Sequence, residues 1–351
     1  MEIFTHTPEE HTMGESLRKY VYQRIHQDIK QPIWQKIRLT GSLQRDPPAT
    51  RSLWETEKKP KPFNFQRPTA TVIDDSTLEL HCFPCPAFIQ HYYSVIATYL
   101  QFEKRDVEIE LILPAMLEAE RILRQSNLQQ LGPTDAVIFG EVHNLTQLVP
   151  DIRWGSQHLE GLFDWYTYRS AQGKSITLLG CREGLWGEAA GSLIRVLQEV
   201  SNTQYVFYIG KVGSLVEEFT ANEWVATGNE SFLGGASLSW NNPLQEAAEF
   251  SNMVVQGTHV SVPSPLCETK EWLQQQQRMC SWVDCESWHM AKAASEVGVK
   301  FGYLHIVSDN LVDEDNENLS NEDCDNTQNK REILYRAIEK VLRKFVENWG
   351  P

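Results

Sequence analysis

The sequence predicts an α/β protein, because short apolar strands and amphipathic helices alternate through most of its 351 residues. Several predicted strands are apolar on both faces, as in SITLLG (175–180) and KFGYLHIVS (300–308), which is typical of strands covered by helices on each side. The composition agrees, since 41% of the residues are apolar and 23% are charged. The chain can therefore bury a sizeable core, as one large domain or as two of ordinary size.

The charge balance excludes some classes of partner. The chain has 47 acidic against 32 basic residues, a net charge of -15, which argues against general binding to nucleic acid or to anionic membranes. No run approaches the ~18 to 20 apolar residues that span a bilayer, and the N-terminus lacks the features of an export signal. The 7 cysteines are scattered, which suits reduced thiols. We expect a cytoplasmic protein with a small-molecule ligand.

The first 133 residues predict an N-terminal α+β extension. Residues 16–42 predict one or two amphipathic helices, and residues 46–68 are too rich in proline and lysine for regular structure, which predicts an extended arm. A hairpin (TATVIDD, TLELHCF), a helix (87–102), a strand (VEIELIL) and a helix (AMLEAERILRQ) follow. We place domain boundaries so that 1–68 is a helical segment with the arm, 69–133 is α+β, and 134–351 is the main domain.

The main domain continues the alternation of strand and helix from DAVIFGE (135–141) to Asp309. Within it, SFLGGASLSW (231–240) predicts a flexible loop. The segment 310–330 is acidic and poor in apolar residues, which predicts a mobile loop. Residues 331–349 predict a C-terminal helix that packs an apolar face on the sheet.

One candidate binding feature lies in TQYVFYIGKVGSL, where an apolar strand runs into Gly210, Lys211 and Gly213. Glycine permits a tight turn and a close approach of backbone N–H groups to a ligand. Lys211 is a compact cation that suits a phosphate or a carboxylate. An ordinary strand-to-loop turn is the alternative interpretation.

Acidic residues follow two further predicted strands. Asp284 and Glu286 alternate at the end of SWVDCES, where a carboxylate can accept hydrogen bonds from the vicinal hydroxyls of a sugar. Helix capping is the alternative for either of them. Ser308 and Asp309 end the strand of FGYLHIVSDN, and a protonated Asp309 can serve as a general acid. A turn or cap aspartate is the alternative there.

The order of five segments resembles the nucleoside phosphorylase and nucleosidase superfamily, over about residues 134–351: SITLLGCREGLWGEAAGSLI, YVFYIGKVGSL, HVSVPSPLCET, WVDCESWHMAKAA and YLHIVSDN. The resemblance implies a three-layer αβα fold with a central mixed sheet. It also implies an enzyme that cleaves the N-glycosidic bond of a purine nucleoside or a related ribosyl compound, by hydrolysis or phosphorolysis. It further implies no cofactor, inorganic phosphate as a candidate co-substrate, a nucleoside or nucleotide ligand, and a homo-oligomer.

The resemblance also implies residue roles. Glu286 matches the glutamate that grips the ribose hydroxyls, and Cys285 stands where a methionine usually packs against the sugar. Asp309 matches the aspartate that protonates or hydrogen-bonds the purine N7, with Ser308 as its companion. The family's glycine turn corresponds to Gly210, Gly213 and Ser214, beside the substrate-binding candidates Asp284 and Lys211.

The acceptor site departs from the family pattern. Phosphorylases of this kind carry arginines in the first loop and before the glycine turn, where this chain has Tyr208, and hydrolases carry a first-loop glutamate. Glu141 or His143 is a candidate to activate water, and Lys211 or Arg182 is a candidate to hold an anion. These departures keep open the alternative of a catalytically inactive nucleoside-binding or nucleotide-binding sensor.

Two further features of the sequence are weaker indications of function. Trp288, Phe232 and Trp240 are candidates to stack on the base from neighbouring loops. Cys82 and Cys85 form a CxxC, but without a second such pair buried thiols are the expectation, and we predict no metal site.

Overall fold

The computed structural model describes residues 2–43, 45, 51–53, 61–115, 117–154, 161–313, 317–322 and 324–349. The strands are β1 Lys36–Gly41, β2 Arg51–Ser52, β3 Thr69–Val72, β4 Thr77–Cys82, β5 Glu108–Ile112, β6 Ala136–Gly140, β7 Phe163–Arg169, β8 Ser175–Cys181, β9 Tyr205–Ser214, β10 Val225–Thr227, β11 Glu230–Leu233, β12 Ala236–Ser239, β13 Val254–Gln256, β14 His259–Ser261, β15 Trp282–Asp284 and β16 Lys300–Asn310. The helices are α1 Ser16–Arg24, α2 Pro86–Phe102, α3 Glu118–Gln125, α4 Glu188–Ser201, α5 Gln245–Ala248, α6 Lys270–Gln276, α7 Ser287–Val297 and α8 Asp325–Asn348.

The N-terminal part of the chain forms its own sheet, in the order β2-β3-β4-β1-β5 within the described residues. The predicted hairpin is present, because β3 pairs antiparallel with β4. The prediction of only helices over 16–42 is wrong after residue 35, since β1 pairs parallel with both β4 and β5. Ile37 and Leu39 of β1 are buried, which is the two-residue period of a strand. A boundary at residue 68 therefore runs through this sheet, and the domain boundaries remain a prediction.

The main sheet is mixed and covered on both faces. β6 pairs parallel with β8 and β9, while β7, β15 and β10 each pair antiparallel with a neighbour. Val137 and Phe139 pack with α4 and α7, whereas the alternate residues Ala136 and Ile138 pack with α8. The α/β class and the layered arrangement predicted from the sequence are confirmed.

Three local predictions differ from the structure. The glycine turn after residue 210 is absent, because β9 continues without interruption to Ser214. Residues 231–240 do not form a flexible loop, since β11 and β12 make an antiparallel hairpin around Gly234 and Gly235, both with positive φ. The acidic segment is not a mobile loop throughout, because α8 already begins at Asp325.

The N-terminal part packs directly on the main sheet. Phe88 of α2 contacts Trp186 with ring centroids 5.8 Å apart, and His91 stacks on the same indole at 4.5 Å. The backbone N–H of Thr12 donates to the carbonyl of Glu268 at 3.1 Å, next to a bridge between His11 and Thr269. These contacts place N-terminal residues over the ends of the strands that carry the candidate site.

Candidate active site

A cavity of about 510 Å³ lies beside residues 208–213 of β9 and at the ends of β6, β15 and β16. Glu286 and Asp309, from two different strand ends, both line it. Its opposite wall comes from α1, from the arm residues 61–68 and from α2. The cavity therefore brings together residues from nearly the whole length of the chain.

Asp309 is buried where β16 changes register against β9. Val307 pairs with Val212 and Asp309 with Gly213, so Ser308 is the extra residue of a bulge, a feature that redirects side chains. The hydroxyl of Ser308 donates to Asp309 Oδ1 at 2.6 Å. Burial raises the pKa of Asp309 to about 6, although the hydrogen bond from Ser308 lowers it. Asp309 can therefore carry a proton in mildly acidic solution.

Gly213 makes room for that aspartate. A Cβ at this position would lie 3.2 Å from Asp309 Oδ2, 3.0 Å from Val283 and 2.5 Å from Leu311. The glycine is thus required for close approach inside a strand and not for a turn. The backbone N–H of Gly210 donates to His305 Nδ1 at 2.9 Å, so this amide is not available to a ligand.

Glu286 lies half-buried in the cavity as the residue before α7. Burial and the neighbouring charge of Asp284 raise the pKa of Glu286, although a hydrogen bond from Tyr208 opposes the shift. A carboxyl group held in this way can pair with both hydroxyls of a vicinal diol. The thiol of Cys285 is buried beside it in the same cavity, and burial raises its pKa.

Asp284 differs from Glu286, because the Asp284 carboxylate already accepts several hydrogen bonds from other groups of the protein. It accepts the backbone N–H groups of Glu286 and Ser287, at 3.1 Å and 3.1–3.2 Å, and the hydroxyls of Ser261 and Ser287 at 2.9 and 2.5 Å. His259 Nε2 lies 3.1 Å from Oδ1, and despite burial this neighbour holds the pKa of Asp284 well below its usual range. Asp284 lines the cavity but caps α7, which matches the capping interpretation and not direct substrate binding.

Lys211 and Glu141 form an ion pair at the end of β6, with Nζ and Oε1 3.0 Å apart. Burial alone would raise the pKa of Glu141, but Lys211 and a hydrogen bond from Tyr335 lower it to about 2. Glu141 is therefore a poor base for activating water in this arrangement. His143 also lines the cavity, and burial lowers its pKa, which favours the neutral form of the ring.

Two of the predicted polar site residues, Arg182 and Ser214, do not line the cavity. Arg182 donates to the carbonyl of Gly161, while its neighbours Cys181 and Glu183 face the cavity. Alternation of side chains at the end of β8 explains this, because successive residues point to opposite faces. Ser214 is buried and donates to the carbonyl of Val216 at 2.9 Å. The suggested roles of Arg182 as an anion ligand and of Ser214 in binding are corrected accordingly.

The structure adds a carboxyl group that the sequence analysis did not single out. Glu268 lines the cavity, is 4% exposed and has no hydrogen-bond partner for its side chain within the described part of the chain. Burial and the charge of Asp309 raise the pKa of Glu268 well above its usual range. A neutral carboxyl can both donate and accept a hydrogen bond, as the edge of a nucleobase requires.

The aromatic residues of the cavity also differ from those predicted. Trp288, Phe232 and Trp240 are not among its lining residues. The aromatic wall instead consists of Tyr20, Tyr22, Phe63, Phe65, Phe88, His91, Tyr92, Phe139, Trp186 and Tyr208. Most of these come from the N-terminal part of the chain, so no motif of the main domain could reveal them.

The fold and the cavity define a layered α/β protein with buried carboxyl groups at strand ends, and the family comparison agrees. The model of the phosphorylase superfamily matches residues 235–343, the segment that contains Glu286 and Asp309. This confirms the resemblance to the nucleoside phosphorylase and nucleosidase superfamily that the sequence predicts. No curated protein sequence matches the chain.

Solved structures with a similar arrangement are distant. A 5′-methylthioadenosine/S-adenosylhomocysteine nucleosidase from Neisseria meningitidis, in complex with methylthio-immucillin-A, is 17% identical, with a TM-score of 0.45 over 61% of this chain and 98% of that one. The corresponding Helicobacter pylori nucleosidase is 14% identical, with a TM-score of 0.45 over 62% and 99%. Helicobacter pylori futalosine hydrolase is 16% identical, with a TM-score of 0.45 over 63% and 100%. These scores are too low to assign a substrate.

Two further findings concern membranes and metals. No helix among the described residues is long and apolar enough to cross a bilayer. The same residues contain no group of three His, Cys, Asp or Glu side chains placed to hold a metal ion. Cys82 and Cys85 are free and buried, and burial raises the pKa of the Cys85 thiol to about 12.

Proposed function

We propose that this protein cleaves the N-glycosidic bond of a purine nucleoside or a related ribosyl compound. One observation carries the proposal: the half-buried carboxyl group of Glu286 and the buried carboxyl group of Asp309 lie on one cavity, within the segment that matches the phosphorylase superfamily. A diol clamp and a leaving-group acid are two functions that this cleavage needs from a protein, beside a site for the acceptor. Perturbed pKa values in a cavity are typical of catalytic groups.

The chemistry assigns a task to each group. Glu286 holds the ribose hydroxyls, which fixes the sugar while positive charge develops on its ring. Asp309 gives a proton to the departing base, and Ser308 orients the carboxyl through the 2.6 Å hydrogen bond. Glu268 contacts the edge of the base beside Asp309. Water or inorganic phosphate serves as the acceptor, and no other cofactor takes part.

A second candidate function is nucleoside binding without turnover. The loop after β6 favours this function, because the Glu141 carboxylate there pairs with Lys211 and accepts a hydrogen bond from Tyr335. Glu141 is therefore not available to activate an acceptor. Arg182 faces away from the cavity. Glu286 and the residues that contact the base would then bind a nucleoside in a sensor that does not cleave it.

A nucleoside panel, incubated with and without phosphate and analysed by chromatography for free base, decides between the two functions. We expect base release from the wild type and at least ~100-fold slower release from Asp309→Asn with binding retained, the usual cost of losing a general acid. Tight binding with no release from any nucleoside would establish the sensor instead. For the clamp, Glu286→Ala should lose the preference for nucleoside over free base, and an unchanged preference would contradict the assignment.

The homo-oligomeric state and the cytoplasmic location belong to the proposal as well. The oligomeric state follows from the family resemblance alone, and the cytoplasmic location follows from the scattered cysteines and the sequence of the N-terminus. Sedimentation of the purified protein and imaging of a tagged copy in cells would test them.

A further inference from the structure

A histidine of β16, His305, lies behind the cavity and contacts groups that hold Glu286. Its side chain is fully buried, and it is not among the described residues that line the cavity. The His305 ring stacks on Tyr303 and lies edge-to-face against Tyr208, with ring centroids 4.7 Å apart in both pairs. His305 therefore has a fixed orientation and does not contact a ligand itself.

One backbone amide determines which nitrogen of the His305 ring carries the proton. The N–H of Gly210 donates to Nδ1 at 2.9 Å, so Nδ1 is an acceptor and has no proton. Burial lowers the pKa of His305 to about 3, although the charge of Asp284 opposes this shift. The ring is therefore neutral at neutral pH, with its single proton on Nε2.

A first route leads from this proton to the backbone of Glu286. His305 Nε2 donates to Ser287 Oγ at 3.1 Å, and the Ser287 hydroxyl donates to Asp284 Oδ2 at 2.5 Å. The other oxygen, Asp284 Oδ1, accepts the backbone N–H of Glu286 at 3.1 Å. An ionised carboxylate can only accept, so this chain of hydrogen bonds has one possible direction. His305 is thus linked to the Glu286 backbone by three consecutive hydrogen bonds.

A second route leads through Tyr208 to the side chain of Glu286. Tyr208 and Gly210 lie on one face of β9, opposite Tyr303 and His305 of β16. A Cβ at Gly210 would lie 3.0 Å from Tyr208 Cζ and 3.1 Å from His305 Nδ1, so the glycine allows the two rings to meet. The Tyr208 hydroxyl donates a hydrogen bond to the Glu286 carboxyl group. The packing of His305 on Tyr208 therefore fixes a donor to Glu286.

We propose that His305 is a positioning residue for Glu286. It acts on the Glu286 backbone through Ser287 and Asp284, and on the Glu286 side chain through Tyr208. The inference rests on the proposed function, in which Glu286 holds the ribose hydroxyls. A carboxylate accepts two vicinal hydroxyls together only in a narrow range of orientations. Loss of His305 should therefore weaken the binding of the ribose and leave the binding of the base unchanged.

Calorimetric titration with adenosine, inosine and guanosine, and with their free bases, tests the proposal. We call the affinity for a nucleoside divided by the affinity for its base the ribose ratio. His305→Phe keeps an aromatic ring in the same space and removes both ring nitrogens. The ribose ratio should fall at least about tenfold in this variant, while the affinity for the base stays within about twofold of the wild type.

A double variant separates positioning of Glu286 from a general loosening of the cavity. In Glu286→Ala the side chain that His305 is proposed to hold is absent, so adding His305→Phe should change the nucleoside affinity by less than about twofold. The matched control is His26→Phe, which also removes a buried ring nitrogen that accepts a backbone N–H, here that of Asp28 at 3.2 Å. His26 belongs to the N-terminal part, and its replacement should leave the ribose ratio within about twofold of the wild type.

An unchanged ribose ratio in a folded His305→Phe variant would overturn the proposal. So would an equal fall in His26→Phe, or a tenfold loss of nucleoside affinity when His305→Phe is added to Glu286→Ala. If His305→Phe does not fold, the titrations are made on Ser287→Ala, which breaks the first route alone. The ribose ratio must then fall several-fold, and an unchanged ratio would also overturn the proposal.

The same titrations distinguish this inference from the proposed function. If Glu286→Ala keeps the wild-type ribose ratio, Glu286 is not the clamp, and the positioning role of His305 falls with it. If Glu286→Ala loses the ratio and His305→Phe keeps it, the clamp stands and only the positioning role of His305 fails. A fall of the ratio in both single variants, with no further loss in the double variant, supports both.

Discussion

Replacing Asp309 with asparagine should make the folded protein more stable at neutral pH, although the residue is proposed to be essential for activity. Burial raises the pKa of Asp309 from its ordinary value of 3.8 to about 6. One pKa unit corresponds to about 1.4 kcal/mol, so the ionised carboxylate costs the folded state up to about 3 kcal/mol. Asparagine has the same shape without the charge, and its amide oxygen can still accept the Ser308 hydrogen bond.

The direction of the stability change with pH follows from the difference in proton binding between the folded and the unfolded protein. The folded protein keeps the Asp309 proton in a pH range where the unfolded chain has released it. The stability that this group contributes is complete below 3.8 and is lost as the pH rises through about 6. The Asp309→Asn variant does not lose this stability as the pH rises. Its free energy of unfolding should therefore exceed that of the wild type only slightly below about pH 4 and most above about pH 7.

Urea unfolding followed by tryptophan fluorescence, at a series of pH values, measures the difference. Glu141→Gln is the control of opposite sign. Despite its burial, Lys211 lowers the Glu141 pKa to about 2, so its stabilisation is present above the ordinary value of 4.5 and lost as the pH falls through about 2. Glu141→Gln should therefore destabilise the protein at neutral pH. An Asp309→Asn variant that is less stable than the wild type at neutral pH, or a difference independent of pH, would refute the burial argument.

Three further outcomes are expected. Gly213→Ala should destabilise by ~1 to 3 kcal/mol in urea unfolding, because its Cβ would meet Leu311 at 2.5 Å, and an unchanged midpoint would show that β9 can shift. Asp284→Asn should cost ~3 kcal/mol, since the capped amide groups and His259 lose a charged partner, and a cost below ~1 kcal/mol would contradict the capping role. A thiol reagent should modify Cys324 rapidly in the native protein, where it is exposed, and all 7 cysteines after denaturation; rapid modification of several native thiols would contradict their burial.

The strands β6, β8, β9, β15 and β16 of the main sheet were predictable because they are largely apolar runs, whereas the hairpin of β11 and β12 was predicted as a loop. Strand β1 was not predictable, because only Ile37 and Leu39 alternate between polar neighbours, directly after a helical segment.

The rule that the carboxyl ends of parallel strands meet at one sheet edge does not explain why Glu286 and Asp309 share a cavity, because β15 runs antiparallel to β9 and β16 runs parallel to it. The two acids meet because Val283, three residues before Glu286, and Asp309 both pair with Gly213 of β9. Arg182 shows a further limit of the sequence pattern, since a step of one residue decides which face a side chain takes.

No local sequence pattern predicts that the remaining cavity residues lie at the site. Glu268 and Trp186 lie in loops between elements, and their place in the cavity depends on packing against the N-terminal part. Phe63 belongs to a proline-rich arm that has neither helical nor strand periodicity. Contacts between residues more than a hundred positions apart are set by tertiary packing, which a local pattern does not encode.

The division of the cavity between two sheets has an evolutionary consequence. Asp309 lies on β16 of the main sheet and Glu286 follows β15 of the same sheet, while much of the opposite wall is supplied by the N-terminal part of the chain, which forms its own sheet. Substitutions in α1 or in the arm can therefore change which molecules fit without moving Glu286 or Asp309. Selection for a new ligand can proceed on the N-terminal part of the protein while the part that carries Glu286 and Asp309 is kept.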